Sequence, residues 1–285
     1  MSFWEELEQW KKGQGRPLYG TPSYEAVIYW LEERGTLEEM KTLIRENFVD
    51  QLYIGFGNEG LDLIILEYLW AISQEEKVDN FFIEAGANNG ILQSNTCLLE
   101  WGLGWRGILI EPNKANALKC QKYRKDSQVW NCALVSDSYE KDYIEGTWDS
   151  ALAENREMCS GLGSGCTPSH LKDNPEASTK VRARTLTEIL EISNAPQNIG
   201  FLSLDVEGYE LKALQGLDFN KFHPMLILIE IQSKKDEEIY HNFLKSKGYS
   251  LVTKPTLHDY LYVRGKIIDS RLEPATRSEE EIKNE

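Results

Sequence analysis

Phe81-Phe82-Ile83-Glu84-Ala85-Gly86-Ala87-Asn88-Asn89-Gly90 reads as an apolar strand that ends in a carboxylate and runs into a glycine turn. Consecutive apolar residues suit a strand covered on both faces, as in a parallel sheet. Gly86 and Gly90 would let the backbone approach a ligand that a β-carbon excludes. A tight turn with no ligand is the plainer reading of the same glycines. Ser94-Asn95-Thr96 follows, with hydroxyl and amide side chains suited to cap a helix or face a ligand.

The same form recurs downstream. Gly107-Ile108-Leu109-Ile110-Glu111-Pro112 is a second apolar strand ending in a carboxylate, 27 residues after Glu84. An acid at the tip of the second strand can accept both hydroxyl hydrogens of a ribose at the crevice of a doubly wound sheet. The turn lacks the full G-x-G-x-x-G pattern, and Glu84 would repel a pyrophosphate. A cationic cofactor such as S-adenosylmethionine (SAM) suits it better than NAD.

Phe201-Leu202-Ser203-Leu204-Asp205-Val206-Glu207-Gly208-Tyr209-Glu210 places three acids just beyond a third apolar strand. Asp205 and Glu207 would share a face if the strand continued, where they could jointly hold a proton or a cation. Glu210 is expected to open the next helix, where the dipole favours an acid. Leu226-Ile227-Leu228-Ile229 is a further buried strand, and Glu230 at its end would lie near the cluster. Tyr249 to Val252 and Tyr260 to Val263 read as two more strands. Apolar runs alternating with helical segments, as around Asn95–Trp101 and Lys114–Tyr123, predict an open α/β sheet.

Beyond this core, residues 1–77 are expected to form a helical extension, with Leu61, Ile64, Ile65, Tyr68 and Leu69 on one face of its last helix. Residues 78–270 form the main domain and 271–285 an acidic tail. Residues 148–180, rich in Gly, Ser, Asn and Pro, read as a loop insert that closes over an acceptor. Cys159, Cys166 and His170 within it could bind zinc, although structural zinc favours four ligands at tighter spacing. Trp148 could stack on a sugar or nucleobase.

Acidic residues outnumber basic ones 46 to 31, a formal charge of −15. That sign disfavours nucleic acid and anionic lipid, and no apolar stretch reaches the roughly 20 residues of a membrane span. Five scattered cysteines and an N-terminus without a signal pattern are expected of a cytoplasmic protein. Nothing in the pattern sets the oligomeric state.

Taken together, these segments resemble the FkbM-type methyltransferases, a SAM-dependent branch of the Rossmann-like enzymes. The resemblance is carried by Phe82–Gly90, Ser94-Asn95-Thr96, Gly107–Pro112, Arg184-Thr185-Leu186-Thr187-Glu188-Ile189-Leu190 and Leu204–Glu210, in that order. The Ser94-Asn95-Thr96 element, with Trp105-Arg106-Gly107, is similar to the branch that includes Star-like proteins. The resemblance implies a seven-stranded sheet with an antiparallel last strand and a SAM site over Glu84, Gly86, Asn88, Asn89, Gly90, Ser94, Asn95 and Thr96. It further implies ribose on Glu111 beside Pro112, adenine near Asn131 to Ala133, and Asp205 and Glu207 facing the transferred methyl. The family often carries lysine two positions before the aspartate, where this chain has Ser203.

The expected activity is methylation of a hydroxyl on a sugar, glycan or natural-product-like acceptor, with Asp205 as base, Glu207 second, and His258 a further candidate. In a metal variant Asp205, Glu207 and Glu230 would bind Mg²⁺ or another divalent cation. A non-catalytic interaction module and a Rossmann-like enzyme using NAD are the competing readings.

Overall fold

The computed structural model describes residues 42, 56–73, 76–146 and 179–265. The first part of the expected extension, the insert up to residue 178 with Trp148, Cys159, Cys166 and His170, and the acidic tail lie outside the described residues.

Each apolar run is a strand. In chain order these are β1 (Asp79–Ala85), β2 (Arg106–Ile110), β3 (Gln128–Trp130), β4 (Cys132–Leu134), β5 (Tyr143–Gly146), β6 (Thr179–Arg184), β7 (Ile199–Leu204), β8 (Leu226–Glu230), β9 (Tyr249–Thr253) and β10 (Asp259–Arg264). Seven form one sheet in the order β3-β2-β1-β7-β8-β10-β9. The last strand, β10, runs antiparallel to both β8 and β9, and the other ladders are parallel. Strands β4, β6 and β5 make a separate small sheet. Asn131 lies between β3 and β4, where the chain leaves one sheet for the other. Its amide nitrogen donates to the carbonyls of Glu111 and Pro112, both at 2.9 Å.

The central strands are apolar at successive positions because both faces are covered. Side chains alternate between faces: Phe82, Leu109 and Phe201 belong to one core, Ile83, Ile108 and Leu202 to the other. The first core also takes helix α1 (Leu61–Ser73). Leu66 and Ile65 of α1 are buried with Phe82 and Phe201, and Phe56 meets Trp101 edge-on at 5.5 Å. Helices α2 (Cys97–Trp101) and α3 (Lys114–Tyr123) lie on the same side; α4 (Leu186–Ile192), α5 (Glu210–Gln215) and α6 (Glu237–Ser246) pack on the other. A capping box starts α4. The Thr185 hydroxyl accepts from Glu188 N at 3.1 Å, and the Glu188 carboxylate accepts from Thr185 N at 3.0 Å. Among the described residues no helix is long and apolar enough to cross a membrane.

Because α1 shares its core with β1 and β7, Leu66→Ala is expected to destabilise the whole domain by about 2–5 kcal/mol. Denaturant unfolding followed at two probes should show one transition moved to lower denaturant. Loss of α1 alone would appear as a separate early step.

Candidate functional site

The carboxyl ends of β1, β2, β7 and β8 open into one cleft. It is lined by the strand-end residues Glu84, Gly86, Glu111, Asp205, Glu207 and Glu230, and by Asn88, Ser94, Asn95, Pro112 and Ala133.

Gly86 sets the depth of this cleft. Its φ is +81°, and a β-carbon there would stand 1.7 Å from the carbonyl oxygen of Asp205. Only glycine lets the end of β1 lie directly on the end of β7. Gly86 N and Ala87 N donate to the carbonyl of Ile110 at 3.0 and 3.2 Å, which ties the turn to β2. Asn89 and Gly90 complete the turn from behind and do not face the cleft. The Asn89 side-chain oxygen accepts from Ile91 N and Leu92 N.

Glu84 does not point its carboxylate at a ligand as the sequence suggested. It is buried, and its oxygens accept from the Ser94 hydroxyl at 2.8 and 3.0 Å, Asn95 N at 2.7 Å, the Thr96 hydroxyl at 2.7 Å and Arg124 Nη1 at 3.5 Å. A carboxylate offers about four lone-pair positions, and these donors take them. Ser94-Asn95-Thr96 is thus a strap folded onto Glu84. Ser94 also braces the start of α2, its oxygen accepting from Cys97 N at 3.0 Å. Asn95 donates from Nδ2 to the Ser203 hydroxyl at 3.1 Å. Ser203 is buried among these groups, so it anchors the strap.

Glu111 is buried at the tip of β2. Its two oxygens accept from Asn88 N at 2.8 Å and Asn113 N at 2.7 Å. Burial outweighs these bonds and pushes its carboxyl up to about 8. At one end of the cleft, Ile110, Pro112, Cys132, Ala133 and Leu134 form an apolar bed beside Glu111. Asn131 supports this end through its backbone contacts.

Strand β7 stops at Leu204, and Glu207 adopts a left-handed φ of +56° with Gly208 at +89°. Asp205 and Glu207 therefore meet across a turn, not along a continued strand. Glu210 opens α5, as expected, and holds this turn: its Oε1 accepts from Val206 N at 3.0 Å and Gly208 N at 2.9 Å. Gln232 donates to both Glu207 and Glu230, at 3.1 and 3.0 Å. Burial, then Glu230, pushes Glu207 up to about 7. Asp205 is open to the cleft yet enclosed by its walls. Its carboxyl is held well above the ordinary range by burial first, then by Glu230 and Glu207.

Three carboxylates, Asp205, Glu210 and Glu230, bring one oxygen each within 4.8 Å of one another. Glu207 is not of that group. His258 does not join the cleft either. It is exposed in the β9–β10 turn, its carbonyl accepting from Ile231 N at 2.7 Å, and Asp259 lines the cleft in its place.

Sequence reasoning missed Asn58 and Leu61, which line the cleft from ahead of β1, and the fully buried Arg124. At the end of α3, Tyr123-Arg124-Lys125 reads as an ordinary solvated helix terminus. Only its packing against Glu84 and Glu100 reveals it.

Residues 84–251, more than half of the chain, match the family described as the methyltransferase FkbM domain. No curated protein matches the chain. Among solved structures, the human methyltransferase 10 domain containing protein is similar at 11% identity over 81% of this chain and 95% of that one, with a TM-score of 0.40. The METTL16 methyltransferase domain is similar at 11% identity over 82% and 80%, TM-score 0.39. The O-methyltransferase TomG from Streptomyces achromogenes, solved with SAM, shows 10% identity over 86% and 96%, TM-score 0.36.

The raised carboxyls make a prediction for the ligand-free protein. Glu111 and Glu207 keep protons in the fold that they release when unfolded, so the folded state binds more protons above the ordinary glutamate range. Stability should therefore fall as pH rises from about 5 through 8. Melting temperature against pH should show this decline, and Glu111→Gln should flatten its upper part.

Proposed function

The chain belongs to the FkbM methyltransferase-domain family, and from that premise we propose that it moves a methyl group from SAM to a hydroxyl of a sugar, glycan or natural-product-like acceptor. The observation that carries this reading is the single cleft that joins the Gly86 turn, Glu111 and Asp205 from three adjacent strand ends. Ribose hydroxyls would donate to Glu111, offsetting its burial, and adenine would lie on the apolar bed of Ile110, Pro112 and Ala133. The Gly86 turn would hold the methionine end.

SAM supplies an electrophilic methyl group when bound. The chain's part is to hold the acceptor oxygen in line, exclude water and take the hydroxyl proton. As the oxygen lone pair forms its bond to carbon and the carbon–sulfur bond breaks, that proton would pass to Glu207. A carboxyl near 7 is half-ionised at neutral pH and is matched to this task. Asp205, the first choice from the sequence, is also held well above the ordinary carboxylate range, by burial first and then by Glu230 and Glu207, and would stand beside Glu207 as the second acid of the pair.

The described lining holds six acids and no Lys, Arg or His. A phosphate- or carboxylate-bearing acceptor would meet repulsion from whichever of these acids are ionised. A neutral polyhydroxyl or an amine-bearing one would not.

Transfer of labelled methyl to a panel of sugars, glycans and hydroxylated natural products tests the proposal. A mass gain of one methyl at oxygen supports it, and transfer only to nitrogen overturns the acceptor class. The rate should climb about tenfold per pH unit up to about 7 and then level. Glu207→Gln should lose about 100-fold or more. Loss on chelation, restored by Mg²⁺, would instead place a hard cation on the Asp205, Glu210 and Glu230 oxygens. A folded protein that neither binds SAM nor transfers methyl would be an interaction module.

A further inference from the structure

Arg124 has no exposed surface, and all three of its guanidinium nitrogens donate within the protein. Nε donates to Glu100 at 2.9 Å, Nη2 to the Thr96 hydroxyl at 2.9 Å, and Nη1 to the Gly90 carbonyl at 2.8 Å, to Ser94 at 3.1 Å and to Glu84 at 3.5 Å. One guanidinium thereby grips the ligand turn, the Ser94–Thr96 strap and helix α2 together.

The hydrogens around it can be assigned. Ser94 accepts from Arg124 and from Cys97 N, so its single proton goes to Glu84. Thr96 accepts from Arg124 and likewise gives its proton to Glu84. Glu84 is therefore met only by donors. Glu100, fully buried, is met only by donors too: Arg124 Nε, Asp126 N at 3.3 Å and the Ser127 hydroxyl. Two acceptor-only carboxylates against one guanidinium leave one net negative charge beneath the wall of the cleft. Asp62 is a further buried acid. Its carboxylate accepts from Phe56 N at 2.8 Å and Leu63 N at 3.1 Å.

We infer that the Glu84–Arg124–Glu100 triad is a specificity element of the cofactor site: its net negative charge favours the sulfonium of SAM over the neutral thioether of S-adenosylhomocysteine, with Arg124 as the positioning residue. This rests on the SAM reading above. The consequence is directional. Transfer removes the positive charge from the cofactor, and the product then loses the field that held the substrate, which hastens its exchange.

Calorimetric dissociation constants for both compounds, measured on the full chain, test this. Glu100→Gln removes one buried negative charge without touching the cleft lining. A unit charge within roughly 10 Å of the sulfonium, at an effective dielectric of about 20, is worth about tenfold in the ratio of the two constants. The expected result is a preference for SAM in the wild type that shrinks by about tenfold in Glu100→Gln. A purely structural role would weaken both compounds equally, and an unchanged ratio overturns the inference. Glu84→Gln is the second variant and should shift the ratio the same way. If neither variant folds, the wild type decides, because SAM binding no tighter than S-adenosylhomocysteine contradicts the triad's role. A folded wild type that binds neither compound defeats the SAM reading itself.

Discussion

A guanidinium can sit in a protein interior only where carboxylates and carbonyls replace its water, and Arg124 has both. Its contacts reach β1 through Glu84, the following turn through Gly90, the Ser94–Thr96 strap and helix α2 through Glu100. Withdrawing Arg124 from this network would leave buried carboxylates uncompensated, a cost of about 3–5 kcal/mol. The wall of the cleft therefore holds its shape without a ligand. The backbone of the Gly86 turn is presented on a frame already fixed from behind.

The opposite wall is built on a contrary principle. Asp205, Glu207 and Glu230 converge at the strand ends with no cation among the described lining residues. Burial and the neighbouring carboxylates push Asp205 and Glu207 toward their protonated forms, which is how a carboxyl becomes a base at neutral pH. Glu210 serves this wall in a second way: two backbone N–H groups engage one of its oxygens, which holds the left-handed turn at Glu207 and Gly208. One wall is thus a satisfied ionic network and the other an unsatisfied acidic cluster. Gly86, which no larger residue could replace, brings them into contact.

Much of this architecture is legible in the sequence. β1, β2, β7 and β8 announce themselves because burial on both faces demands unbroken apolar runs. β3 and β4 do not, since each has three residues and Asn131 interrupts them. The glycine turn and the acids at the strand tips were legible as types. Their directions were not, because a carboxylate at a strand end can face a ligand or fold inward. Glu84 turns inward because Ser94 and Thr96 supply hydroxyls within reach. Arg124 gave no local signal, since a basic residue ending a helix usually meets solvent. His258 was misplaced for the opposite reason: its position before β10 is right, but the turn leaves it exposed and brings Asp259 to the cleft.

The proposed function requires that the cleft over Gly86, Glu111 and Asp205 be a SAM site. Equilibrium titration of the full chain with SAM and, separately, NAD, beside Glu111→Ala, tests it most directly. One SAM per chain, strong loss of that binding in Glu111→Ala and no heat with NAD are expected. Saturable binding of NAD, or SAM affinity indifferent to the loss of Glu111 in a folded protein, would contradict it.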